Sequence, residues 1–127
     1  MLIATLIALL FLGSGASMML DGIDQMQDNI KAEISDENTR KAALAIVDKL
    51  EDTTKDYAKA DGDDEKELLK LIQQYETTTA DLQKNMDASY DKRIQYQQEM
   101  LALRFELKDK LKREQWEKVF SEGKSEK

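Results

Sequence analysis

Four carboxylates fall within five residues at Asp61-Gly62-Asp63-Asp64-Glu65. Placed in a loop, Asp61, Asp63 and Glu65 would present hard oxygen donors, the chemistry that holds Ca²⁺. The spacing departs from an EF-hand loop, where the glycine comes later and a glutamate at the twelfth position binds through both oxygens. The same residues suit a simpler task, stopping one helix and capping the next, so no metal is expected there. A softer set, Met18, Met19, Met26, Met86 and Met100, could bind a soft metal or form an adaptable apolar surface. Those methionines suit equally well the filling of a helical seam. Histidine and cysteine are both absent. With them go the usual general base, the usual zinc ligand, any disulfide and any thiolate nucleophile. Asp and Glu remain for acid–base work, but they read as spread over helix surfaces. The residues point away from an enzyme and imply no cofactor.

The elements that carry these residues are helices. In 127 residues there is no proline and there are five glycines, three of them at or before Gly22. Ala, Leu, Lys, Glu, Gln and Asp dominate, a mix that favours long helices over sheet. The length allows one small domain. Acids outnumber bases by 26 to 19, which argues against nucleic acid as the partner, since phosphate binding draws on clustered Lys and Arg.

Residues 2–12 are apolar apart from Thr5, and Leu2, Ile3, Leu6, Ile7, Leu9, Leu10, Phe11 and Leu12 carry the run. At about 1.5 Å per residue it covers roughly half of a hydrocarbon core about 30 Å thick. That length suits the hydrophobic part of a signal peptide, with Ser14 and Ala16 placed for cleavage after Ala16. Extended through Leu20, the same segment reaches 19 residues without a formal charge, enough for a single-pass anchor. The first flanking charges are Asp21, Asp24 and Asp28, with no base before Lys31. A flank so poor in Lys and Arg is readily translocated. Signal or anchor, the rest of the chain is expected on the outer side of a membrane: inner-membrane-anchored and facing the periplasm or exterior, or released to the periplasm after cleavage.

Ser35 reads as an N-cap with Asp36 and Glu37 behind it. From there Ala43, Val47, Leu50, Thr54 and Tyr57 recur at helical steps. Gly62, in the left-handed position that ends many helices, predicts a turn at 61–63. A second helix then carries Leu68, Ile72, Tyr75, Leu82, Met86, Tyr90, Ile94 and Leu101. Folding the chain at Gly62 sets Ile30 against Ile94, Ile34 against Tyr90, and Leu50 near Ile72 and Tyr75. The predicted fold is all-α: a hydrophobic N-terminal helix over 1–20, an antiparallel helical hairpin over 21–110, and a short amphipathic helix with a disordered tail over 111–127. The hairpin interface would comprise Ile30, Ile34, Val47, Leu50, Ile72, Tyr75, Leu82, Tyr90, Ile94 and Leu101. So thin a core rarely supplies more than about 3–5 kcal/mol, so a homo-oligomer or a protein partner is expected.

The segment "RFELKDKLKREQWEKVF" at 104–120 is basic and amphipathic. Phe105, Trp116 and Phe120 could close the open end of the hairpin, or the segment could lie on anionic lipid. Within it, "LKREQW" at 111–116 is similar to the LTxxQ signature of the Spy/CpxP family of periplasmic chaperones and metal-stress sensors, with Lys112 where that family has Thr. "ISDEN" at 34–38 resembles a second copy, with Asn38 in place of Gln. The resemblance implies a small exported helical hairpin that binds exposed apolar surface of other proteins or senses envelope stress. The composition and the apolar start point to a non-enzymatic envelope scaffold or accessory subunit that binds other proteins.

Overall fold

A computed structural model describes residues 16–121. The apolar run from Leu2 to Leu12, the proposed cleavage region before Ala16 and the tail after Ser121 lie outside the described residues. Within them the chain is all-helical: α1 (Ala16–Glu33), α2 (Glu37–Gln73), α3 (Thr79–Lys110) and α4 (Arg113–Val119), with no strand among the described residues. No helix among the described residues is long and apolar enough to cross a membrane. Met19, which the longer anchor would include, is buried in the protein core.

Met19, Ile23, Met26 and Ile30 recur at steps of 4, 3 and 4, one face of α1, and all are buried. The chain then reverses over residues 34–36. Asp36, rather than Ser35, is the N-cap of α2: its Oδ2 accepts from the Thr39 N–H at 2.8 Å. That hydrogen bond holds the Asp36 carboxyl below its ordinary range, with Arg40 adding to the effect. Arg40 also donates to the carbonyls of Ile34 and Ser35, satisfying acceptors that the end of α1 leaves open.

The expected turn at 61–63 does not form. α2 runs unbroken for 37 residues through Gly62. A glycine inside a helix costs only about 1 kcal/mol, and the Glu65–Leu71 stretch behind it is made mostly of strong helix formers. The break comes at residues 74–78, before Thr79, where successive β-branched residues favour helix poorly. There Thr78 and Asp81 form a capping box: Thr78 Oγ1 accepts from the Asp81 N–H at 3.2 Å, and Asp81 Oδ2 accepts from the Thr78 N–H at 3.1 Å. The hairpin is therefore made by α2 and α3, and its pairing differs from the one predicted. The Thr54 and Tyr96 hydroxyls share a hydrogen bond of 3.2 Å, and Asp64 takes Lys92 at 2.9 Å and Ser89 at 3.2 Å. Ile30 and Ile34 lie instead in the α1 side of the core.

One core joins all four helices. Ala43, Ile46, Val47 and Leu50 of α2 meet the α1 stripe, α3 adds Tyr96, Met100, Leu103 and Leu107, and the end of α4 adds Val119 and Phe120. Gln27 ties α1 to α2, donating to Asp48 and to Glu51 at 3.1 Å each. With Lys55, this lowers the Glu51 carboxyl below its ordinary range. The core ends at Thr54 and at the Tyr57–Tyr96 stack, whose ring centroids lie 4.4 Å apart. Beyond it, no residue from 55 to 95 is buried. The far halves of α2 and α3 form an arm that stands clear of the bundle.

Candidate functional site

The arm gathers most of the large apolar side chains that the bundle leaves uncovered. Leu69, Ile72, Met86 and Tyr90 are each more than half exposed, and Tyr75 at the tip is 97% exposed. A groove of about 390 Å³ runs between the two arm helices. Leu68, Met86 and Tyr90 line it together with Asp61, Glu65 and Asp87, and Arg93 is the one cation in its wall. The Arg93 Nε lies out of solvent with no hydrogen-bond partner, a donor that a finished surface would satisfy.

The structure divides the predicted hairpin interface. Ile30, Ile34, Val47 and Leu50 are buried in the bundle, and Leu101 packs against that core. Leu82 and Ile94 are half-buried along the arm and at its base. Ile72, Tyr75 and Tyr90 are exposed, because the hairpin closes at 74–78 and no third element of the described chain lies over them.

The candidate Ca²⁺ donors Asp61, Asp63 and Glu65 sit on continuous helix. At about 100° per residue, Asp63 points away from the side shared by Asp61 and Glu65, and it pairs with Lys59 at 3.3 Å. Among the described residues no group of three or more acidic side chains is placed to hold a metal ion.

At the other end of the molecule α4 folds back onto α1. Trp116 is half-buried against the core and packs on Phe120, ring centroids 4.5 Å apart, while Phe105 stays exposed. The Arg104 guanidinium lies 4.9 Å from the Phe105 ring centre and 5.0 Å from that of Trp116, a cation–π bridge between α3 and α4. Sequence reading missed the residue that fastens this helix. Asn29 is buried in α1; its Nδ2 donates to the carbonyls of Val119 at 2.8 Å and Ser121 at 3.2 Å. Its Oδ1 accepts from Gln25 at 3.0 Å. Nothing in the spacing of a lone Asn announces that role, whereas the Thr78–Asp81 box was there to be read.

Both stretches that resemble the LTxxQ signature turn out to start helices. Asp36 caps α2, and Gln115 Oε1 accepts from the Lys112 N–H at 2.9 Å at the head of α4. No protein-family model, curated protein or solved structure matches the chain.

Proposed function

We propose that the chain is a non-enzymatic helical scaffold or accessory subunit of the cell envelope, directed there by residues 2–12, and that the α2–α3 arm is the element that binds other proteins. The observation that carries this reading is the uncovered apolar surface of the arm. Leu69, Ile72, Tyr75, Met86 and Tyr90 stand exposed on an ordered hairpin, and a monomeric protein rarely leaves such side chains grouped without use. The four-helix core supplies the platform that holds the arm.

The second reading, a chaperone or stress sensor similar to the Spy/CpxP family, draws on the stretches at 34–38 and 111–116. The two readings differ in what the arm meets. A photo-crosslinking residue placed at Tyr75 or Tyr90 in living cells separates them. A single discrete adduct in the membrane or envelope fraction supports the accessory-subunit reading. A broad ladder that grows under folding stress supports the chaperone. No adduct from either position overturns both.

A further inference from the structure

We propose that the groove on the arm receives one amphipathic helix of a partner protein, a helix whose apolar stripe is flanked by Lys and Arg. The proposal rests on the reading of the arm as the element that binds other proteins, and it names the chemistry of what is bound.

The first observation is what this side of the hairpin already does. Nearer the bundle, α1 lies against α2, with Gln27 donating to Glu51 at 3.1 Å. Glu65 and Ile72 follow Glu51 at whole multiples of seven residues, which keeps them within about 60° of its side at roughly 100° per residue. The side of α2 that receives a helix in the bundle therefore continues up the arm. Two packed helices offer an elongated trough, and an amphipathic helix fills such a trough with apolar side chains at steps of three and four. The stretch from Asp61 to Ile72 rises about 16 Å, roughly three helical turns, which sets the length of helix it can hold.

The second is the sorting of charge. Leu68, Met86 and Tyr90 are the apolar part of the groove, and none of the arm's lysines lines it. Lys59 pairs with Asp63 at 3.3 Å and Lys92 with Asp64 at 2.9 Å. Asp87 takes the neutral amide of Gln83 at 2.8 Å, and among the described residues no cation pairs with Asp61, Glu65 or Asp87. A helix without cations would strip water from those carboxylates and return nothing, which is unfavourable. A helix that sets ammonium or guanidinium groups beside them complements the groove in both its parts. A second copy of the arm would set acid against acid, so it fits less well.

The third is Arg93, the one cation in the wall. Its Nε lies out of solvent with no hydrogen-bond partner. The last carbonyls of a docked helix are open acceptors of the kind that this donor lacks.

The probes are two synthetic peptides of about four helical turns, each held helical by a hydrocarbon staple and carrying one leucine stripe, flanked by Lys in the first and by Glu in the second. Full-length protein, made by cell-free synthesis with zwitterionic nanodiscs, is titrated against each labelled peptide, with empty discs as the blank. The Lys peptide is expected to bind at least about tenfold more tightly than the Glu peptide. D61N/E65Q/D87N is expected to weaken the Lys peptide at least about tenfold, whereas E67Q/E76Q/D91N, an equal change of net charge on arm residues outside the groove, is expected to weaken it less than about threefold. M86S/Y90S, which alters exposed side chains, is expected to weaken it at least about fivefold through lost apolar contact. Equal affinity for the two peptides, equal losses in the two triple variants, or full affinity in M86S/Y90S overturns the proposal, as does absence of binding. Binding that vanishes as the chain dimerises in sedimentation overturns it too, by making a second copy the occupant. None of these outcomes changes the adducts expected in cells from Tyr75 and Tyr90: failure here leaves an arm that binds protein of another chemistry, and failure there leaves the titration intact.

Discussion

Asn29 does the work of two caps. The last carbonyls of a short helix have no partner within it, and α4 is only seven residues long. By donating to Val119 and Ser121 from within α1, Asn29 fixes both the end of α4 and its place on the bundle. Asn29→Leu keeps the bulk and removes the donors, and is expected to cost about 1–3 kcal/mol. Trp116 emission should shift to the red as α4 loosens, and an unchanged spectrum and melting curve would remove Asn29 from this role. Gly62 makes the opposite case. A Cβ added there meets nothing within 4 Å, so Gly62→Ala is expected to raise stability by about 0.5–1 kcal/mol through helix propensity. Destabilisation in a denaturant titration would mean that the chain does turn at that point. Tyr96 brings a pH dependence. Burial raises its phenol above the ordinary value; the hydrogen bond with Thr54 opposes the shift and Tyr57 adds to it. A phenol kept neutral in the fold stabilises fully below its unfolded value near pH 10, and that contribution is lost as pH climbs through the raised folded value. The melting temperature should fall above about pH 10, and fall less steeply in Tyr96→Phe.

At the level of elements, the apolar stripes were legible and the connections were not. The α1 and α2 stripes could be read because 3.6-residue periodicity is imposed by burial itself. The turn was misread because Gly62 is a weak signal, tolerated inside a helix when its neighbours favour one. The Thr77-Thr78-Thr79 run, which has both poor propensity and a capping partner in Asp81, marked the true reversal. Ile72, Tyr75 and Tyr90 read as interface in the sequence because an exposed apolar stripe and a buried one have the same period, and only the length of the covering helix tells them apart. That difference can be measured. Ile23→Ala, Val47→Ala and Leu107→Ala remove fully buried side chains and are each expected to cost about 1–5 kcal/mol, the least for the smaller Val47. Tyr75→Ser at the exposed tip is expected to stay within about 0.5 kcal/mol. Chemical denaturation of the four variants checks the contrast, and equal losses would mean that the arm tip is as tightly packed as the bundle.

For the molecule as a whole, the core and the arm are separable loads on one pair of helices. The Tyr57 and Tyr96 rings already lie 4.4 Å apart at the junction, so a short Gly-Ser turn can replace residues 58–95 without straining the bundle. In a chain beginning at Ser17, that excision is expected to leave a single cooperative thermal transition, with stability changed by no more than about 1–2 kcal/mol. Loss of the transition would show that the arm is needed for folding. Function was far less legible than fold, because apolar contact needs no diagnostic residue: the same Leu, Ile, Met and Tyr serve a core, a partner or a membrane, and only their surroundings decide.

The order of the elements along the chain adds a matter of timing. The Val119 carbonyl that Asn29 holds lies 90 residues further along the chain. At about 5–20 residues per second, roughly 5–18 s of synthesis separate the two. For that interval Met19, Ile23, Met26 and Ile30 of α1 have emerged without all of the α3 and α4 residues that complete their core, so the bundle closes late and its first helix waits for its last.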